Sequence, residues 1–217
     1  GDVAGQASDA DVDVLAALAQ AVDSQIETGR RIRRSTAVLV DKSSSMDIAI
    51  DVGKRIAALV SGLCDAALYV YAFDVLPFEV VAAGDRLSDW ETAFRHIKAG
   101  SATSIGAPLV ALRNAGRKVE QIVIVTDEGD NTAPYFHDEY ARYAEAMGTE
   151  PQVLIVKVGR HCAFVERKLT EREVSFETVE FDGDYYSLPG LIPMLAAPSR
   201  LDLLMEVMAT PIPQRAA

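Results

Sequence analysis

The sequence predicts a doubly wound α/β domain, a mostly parallel sheet with one antiparallel edge strand and helices on both faces. Three observations carry that expectation. "STAVLVD", "QIVIVTD" and "QVLIVKVG" are short β-branched apolar runs without polar alternation, as expected of strands buried on both faces. Segments with apolar residues three and four apart separate these runs, as helical connections between parallel strands require. "ALYVYAF" and "PFEVVA" are joined through Asp74, Val75 and Leu76, a link short enough for an antiparallel hairpin.

Taken in order, residues 1–10 are small and polar and read as a disordered or linker segment. A helix is expected from Asp11, with Leu15, Leu18, Val22 and Ile26 on one stripe and Gly29 ending it. "RRIRR" follows, with four arginines, and reads as a solvated connector, or else as a contact for an anion. Residues 11–34 are thus an N-terminal helix and basic connector packed on a domain spanning 35–210, with 211–217 as a tail. The first strand, 35–41, stops at Asp41. Asp47 stands where a cap belongs, ahead of the helical face Ala49, Val52, Ile56, Leu59, Val60 and Leu63.

The hairpin strands are 67–73 and 77–82, and a short helix at 87–98 carries Trp90 and Phe94. "GSATSIGAP" (100–108) is a loop opening a helix to about residue 116. A strand at 121–127 precedes a helix with Phe136, Tyr140, Tyr143 and Met147 on one stripe. The two tyrosines read as core packing, not as a platform for stacked bases. Strands at 152–159 and 176–181 follow, then a helical tail from Leu188 to about Met208, broken near Ala197–Pro198. There is no internal repeat and no low-complexity segment.

Composition narrows the function. At 217 residues the chain holds one α/β domain with a full core, and 49% hydrophobic with 24% charged residues is ordinary for a soluble protein. A net charge of −11 repels phosphate backbones and argues against nucleic-acid binding by this chain alone. The two cysteines, Cys64 and Cys162, lie in or beside apolar segments and read as buried free thiols of a cytoplasmic protein. No apolar run reaches the ~18 residues of a membrane-spanning helix, and no signal peptide is visible. The three histidines, His96, His137 and His161, have no evident nucleophile partner. Gly1 in place of a methionine leaves a preceding module open.

The chemistry sits at strand ends. Asp41 and Asp127 each stand where an apolar strand gives way to a loop, and open sheets of this kind bind ligands beyond the carboxyl ends of their strands. Ser43 and Ser45 follow Asp41 at alternate positions, and Thr103 lies in the loop opening a later helix. Hydroxyl and carboxylate oxygens are hard ligands suited to Mg²⁺, Mn²⁺ or Ca²⁺. Three hydroxyls and two acids place an octahedral ion and leave a coordination position open. Other readings fail on particular residues. There is no G-x-x-x-x-G-K-[ST] phosphate loop and no G-x-S-x-G nucleophile elbow. An aspartyl-phosphate phosphatase would carry an acid where Ser43 stands. Glu128, Asp130 and Asn131 read as a polar turn, or else as residues that tune the ion. Asp182, Asp184, Tyr185 and Tyr186 read as a solvated loop, or else as a rim of the metal face. Asp74 reads as the turn of the hairpin, or else as a residue near the site.

These residues resemble a known family, the von Willebrand factor A domain with its metal-ion-dependent adhesion site. Its pattern of D-x-S-x-S, a later Thr and an Asp after the fourth strand stands here as "DKSSS", "GSATSIGAPL" and "VIVTDEGDN". A lone D-x-S-x-S is weak, but all three pieces in order are specific, and the resemblance covers about residues 35–210. It implies a Rossmann-like fold, with Ser43, Ser45 and Thr103 touching the metal and Asp41 and Asp127 acting directly or through water. It also implies a protein partner whose carboxylate completes the metal's shell, and no enzymatic activity. A narrower likeness joins the first helix, "VYAFD…PFEVV" and "TDEGDNTAPYFHDEYARYAEAMGTEPQVLIVKVG" to the A domain of Ro (TROVE) ribonucleoproteins. Those bind RNA through a separate ring of helical repeats, which is absent here. The alternatives are therefore a subunit or fragment of a Ro-like RNA-binding particle and, less favoured, a metal-dependent phosphoesterase. Against the last, no general base and no second-metal ligand set is evident.

Overall fold

The computed structural model describes residues 9–27, 31–43, 46–100, 102–198 and 208. Its strands are β1 (Thr36–Asp41), β2 (Leu68–Phe73), β3 (Pro77–Glu79), β4 (Gln121–Thr126), β5 (Gln152–Lys157) and β6 (Phe176–Glu180). The helices are α1 (Asp9–Glu27), α2 (Asp47–Leu63), α3 (Leu87–Phe94), α4 (Ala107–Asn114), α5 (Phe136–Met147), α6 (Phe164–Glu171) and α7 (Ile192–Leu195), with a 3-10 helix at Tyr185–Leu191. Strand order is β3-β2-β1-β4-β5-β6, and every pairing is parallel except β2 with β3. The expected hairpin is thus the antiparallel edge.

Because side chains alternate across a strand, each central strand divides its apolar residues between two layers. Val38 and Val40 of β1, Val70 of β2, Val123 and Val125 of β4 and Val156 of β5 pack with α1, α2, α3, the 3-10 helix and α7. Ala37, Leu39, Tyr71, Phe73, Ile122, Ile124 and Ile155 face α4, α5 and α6. Two-sided burial is why these strands lack polar alternation. Helix α2 lies hard against β1, since a Cβ at Gly53 would come 2.5 Å from both γ-methyls of Val40. The chain leaves β1 for β2 on one side and returns to β4 on the other. That reversal opens a crevice above the carboxyl ends of β1 and β4.

Several expectations need correction. Asp47 does not cap α2. The cap position is Met46, without a side-chain bond, and Asp47 lies in the first turn. Helix α6 carries no clear sequence signal because its buried face is only Val165 and Leu169, a single pair four residues apart. Arg34 is not a solvated connector residue: it is buried, bonding Gln152 and the carbonyls of Met194 and Leu195, so it ties the chain before β1 to α7. Cys162 is exposed and Cys64 only half-buried, both as free thiols. In α1 the buried positions are Val14 and Leu18, with Val22 packed beside them. The side chains of Leu15 and Ile26 lie outside the described residues, as do residues 1–8 and 211–217 and most of the helical tail expected after Pro198.

Candidate metal centre

β1 and β4 run in register, with Val40 beside Val125, so Asp41 and Thr126 leave the sheet as neighbours. The Thr126 hydroxyl donates to Asp41 Oδ2 at 2.7 Å, and the Ser43 amide donates to Oδ1 at 2.8 Å. Asp41 is fully buried. Burial pushes its carboxyl above the ordinary carboxylate range, hydrogen bonds from Ser43 and Thr126 oppose the rise, and the charge of Asp127 adds to it. A cation in the crevice would favour the ionised form and offset that cost.

Asp127 follows β4 and is half-buried, its Oδ1 accepting from the Gly129 amide at 2.9 Å. Thr103 arrives from a third segment. Its amide donates to Asn131 Oδ1 at 3.1 Å, and its carbonyl accepts from the amides of Asn131 (3.1 Å) and Thr132 (2.9 Å). Next to it, Ile105 donates its amide to Asp130 Oδ1 at 3.0 Å, and Ser104 its hydroxyl to the Pro134 carbonyl at 2.8 Å. Gly106 completes the contact: a Cβ there would lie 2.5 Å from the Pro134 carbonyl oxygen and 2.7 Å from that of Tyr135. The loop before α4 is thereby laid directly on the loop after β4.

Asp41, Ser43, Thr103 and Asp127 are therefore gathered at one end of the sheet, and Ser45 lies outside the described residues. The donors fit a hard divalent ion. Among the described residues, no hydrogen bond uses the hydroxyl of buried Thr103 or Asp127 Oδ2, which leaves both with lone pairs to offer. The same residues contain no group of three or more His, Cys, Asp or Glu placed to hold a metal, so any site here relies on neutral hydroxyls.

Three supporting features were not legible in advance. Lys42, next to Asp41, is turned away into an ion pair with Asp74, its ammonium 4.6 Å from the centroid of the Phe78 ring. Burial would raise the Asp74 carboxyl, but Lys42 and the Leu76 amide hold it below its usual range. Asp74 thus turns the hairpin, as expected, and its carbonyl also accepts from the Ser104 amide at 2.8 Å. Asp130, read as a polar turn, is buried and pushed up to about 6 by burial, against the amides of Phe136 and Ile105. Thr126 looks in sequence like one more strand residue. The Asp184 side chain caps the 3-10 helix through the Tyr186 amide, and Tyr185 packs on Phe181 and Arg55.

Neither a protein-family model nor a curated protein matches the sequence. Solved structures do match. The RO (RSR) protein of Deinococcus radiodurans superposes with TM-score 0.54 at 14% identity, over 76% of this chain and 35% of its own. A von Willebrand factor type A protein from Catenulispora acidiphila gives 0.55 at 17% identity, over 76% and 42%. Proximal thread matrix protein 1 of the mussel byssus, with a zinc-occupied MIDAS motif, gives 0.56 at 16%, over 76% and 48%. The chain spans between a third and a half of the length of these three proteins. At such identities the likeness shows the fold. Among the described residues no helix is long and apolar enough to cross a membrane.

Proposed function

We propose that this chain, whose fold is that of the von Willebrand factor A domain, is a divalent-cation-dependent protein-interaction module. Asp41, Ser43, Ser45, Thr103 and Asp127 hold Mg²⁺ or a similar hard ion. The observation that carries the reading is Thr103, a buried residue whose hydroxyl makes no hydrogen bond among the described residues, brought by its own loop to the end of β1 and β4. Ser43 and Thr103 would touch the ion with neutral oxygen. Asp41, both of whose oxygens accept hydrogen bonds, would act chiefly by orienting Ser43 and balancing charge. A cation bound through few charges stays electrophilic and takes a carboxylate from a protein partner into its open position. The zinc in the mussel protein's motif supports divalent occupancy of this fold.

The test is thermal unfolding with Mg²⁺, with Mn²⁺ and with chelator. At a hundredfold excess over Kd, binding stabilises by about 2.7 kcal/mol. For a domain of this size that corresponds to roughly 5–10 °C in Tm. Thr103→Ala should leave the chelator Tm nearly unchanged and shrink the shift. Equal melting of the wild type with and without chelator would defeat the proposal.

The likeness to the RO protein favours a second reading, a piece of a Ro-like particle in which a separate module carries RNA. With a charge of −11, this chain alone should then retain no RNA even at low salt, and a longer natural product carrying helical repeats should retain it.

A further inference from the structure

We propose that Asp130 and Asn131 are positioning residues of the cation site, clasping the backbone on both sides of Thr103 and so fixing where its hydroxyl is held. The inference rests on Thr103 as a cation ligand and goes beyond it by naming what holds that ligand still.

Asp130 is nearly fully buried, and its two oxygens are divided between two segments: Oδ1 accepts from the Ile105 amide at 3.0 Å and Oδ2 from the Phe136 amide at 2.8 Å. A solvated turn has no use for a carboxylate placed this way, because burying one costs free energy that exposure would avoid. The arrangement needs two acceptors facing two N–H donors, which an ionised Asp supplies. An Asn of equal size would turn an NH₂ onto one of those donors. Asn131 works from the other side of Thr103. Its Oδ1 accepts from the Thr103 amide, while the amides of Asn131 and Thr132 both donate to the Thr103 carbonyl. Residues 103 and 105 are therefore pinned by consecutive residues of one loop, and that loop begins at Asp127, itself a candidate ligand. Two parts of the ligand set, from distant stretches of chain, become one rigid unit. Pre-forming hydroxyl ligands matters here because neutral donors offer a cation little charge to repay the ordering of a loop.

The experiment is Mn²⁺ titration calorimetry on the 217-residue chain, with amide exchange of the metal-free protein as a second readout. Asp130→Asn should fold and show faster exchange at the Ile105 amide, with Mn²⁺ affinity falling roughly 10–100-fold, as for other residues that orient metal ligands. In a Thr103→Ala background the same substitution should cost no further affinity, since a residue acting through Thr103 has nothing left to act on. Wild-type affinity in Asp130→Asn, or a loss that adds to that of Thr103→Ala, would overturn the inference. If Asp130→Asn fails to fold, Asn131→Ala at an exposed position is judged by the same two measurements, reading exchange at the Thr103 amide. A wild type that binds no Mn²⁺ removes the cation reading itself, an outcome distinct from a bound wild type with indifferent variants.

Discussion

Two buried carboxylates at the same end of the sheet are treated in opposite ways. In the crevice between β1 and β4, Asp41 has a hydrogen-bond donor on each oxygen. At the corner above β4 and β5, Glu128 is equally inaccessible, but only Oε2 is bonded, to the Glu166 amide at 3.2 Å. Oε1 has no hydrogen-bond partner among the described residues. Its backbone is in the left-handed region, φ 63°, which costs a non-glycine residue conformational energy. The neighbouring Glu166 carboxylate is occupied with Lys157 at 3.0 Å. Burial, reinforced by Glu166, pushes Glu128 up to about 7. Both acids are raised by burial, and they differ in whether polar partners are supplied for the charge. The crevice supplies a donor for each oxygen of its carboxylate, whereas the corner leaves one oxygen of its carboxylate without any.

The largest effect expected from that difference is in Asp41→Ala. The substitution strands the Ser43 amide and the Thr126 hydroxyl, and each buried polar group left unpaired costs about 1–3 kcal/mol. Urea unfolding in chelator should show a loss of about 2–4 kcal/mol, all of it independent of metal. A loss under about 1 kcal/mol would mean that these bonds do not organise the crevice, and the contrast with the corner would fail.

The corner should respond with the opposite sign. A carboxyl whose folded pKa is raised binds its proton more tightly in the folded state, so stability falls as pH rises from the unfolded value to the folded one. For Glu128 that window runs from 4.5 to about 7, and for Asp130 from 3.8 to about 6. In metal-free protein Glu128 therefore contributes to the decline up to about pH 7, above the window of Asp130. Glu128→Gln should flatten it and raise stability at pH 8 by on the order of 1–2 kcal/mol. An unchanged profile in the variant would show that the unpaired oxygen is not what the pH senses. Saturating Mg²⁺ should reverse the overall slope, because the crevice acids must be ionised to favour the cation.

The same contrast explains what the sequence could and could not say. That Asp41, Ser43, Thr103 and Asp127 meet at one end of the sheet was legible because strand-ending acids and nearby hydroxyls are a local pattern, and two-sided burial writes itself into runs such as "VLV" and "IVIV". The partners that hold them were not. Thr126 to Asp41 spans 85 residues and Asp130 to Ile105 spans 25, and nothing in "VTDEGDN" distinguishes an acid that clasps a distant loop from one that faces water. Arg34 failed for the same reason: in "RRIRR" the buried arginine looks like its neighbours until α7 supplies carbonyls for it. Helix α6 failed for lack of signal, since one apolar pair does not define a face.

The smallest effect sharpens the comparison by removing a bystander. Cys162 donates its thiol to the Glu128 carbonyl at 3.2 Å, so it touches the backbone of the corner without touching the carboxylate. An S–H is a weak donor and the residue is exposed, so Cys162→Ala should change stability by less than about 0.5 kcal/mol. It should also leave the fall between about pH 6 and 7 in place, because the proton of Glu128 is set by burial and by Glu166. If the variant instead removed that fall, the thiol would be part of what keeps water from the corner. The contrast between crevice and corner would then be one of solvent access as well as of hydrogen-bond partners.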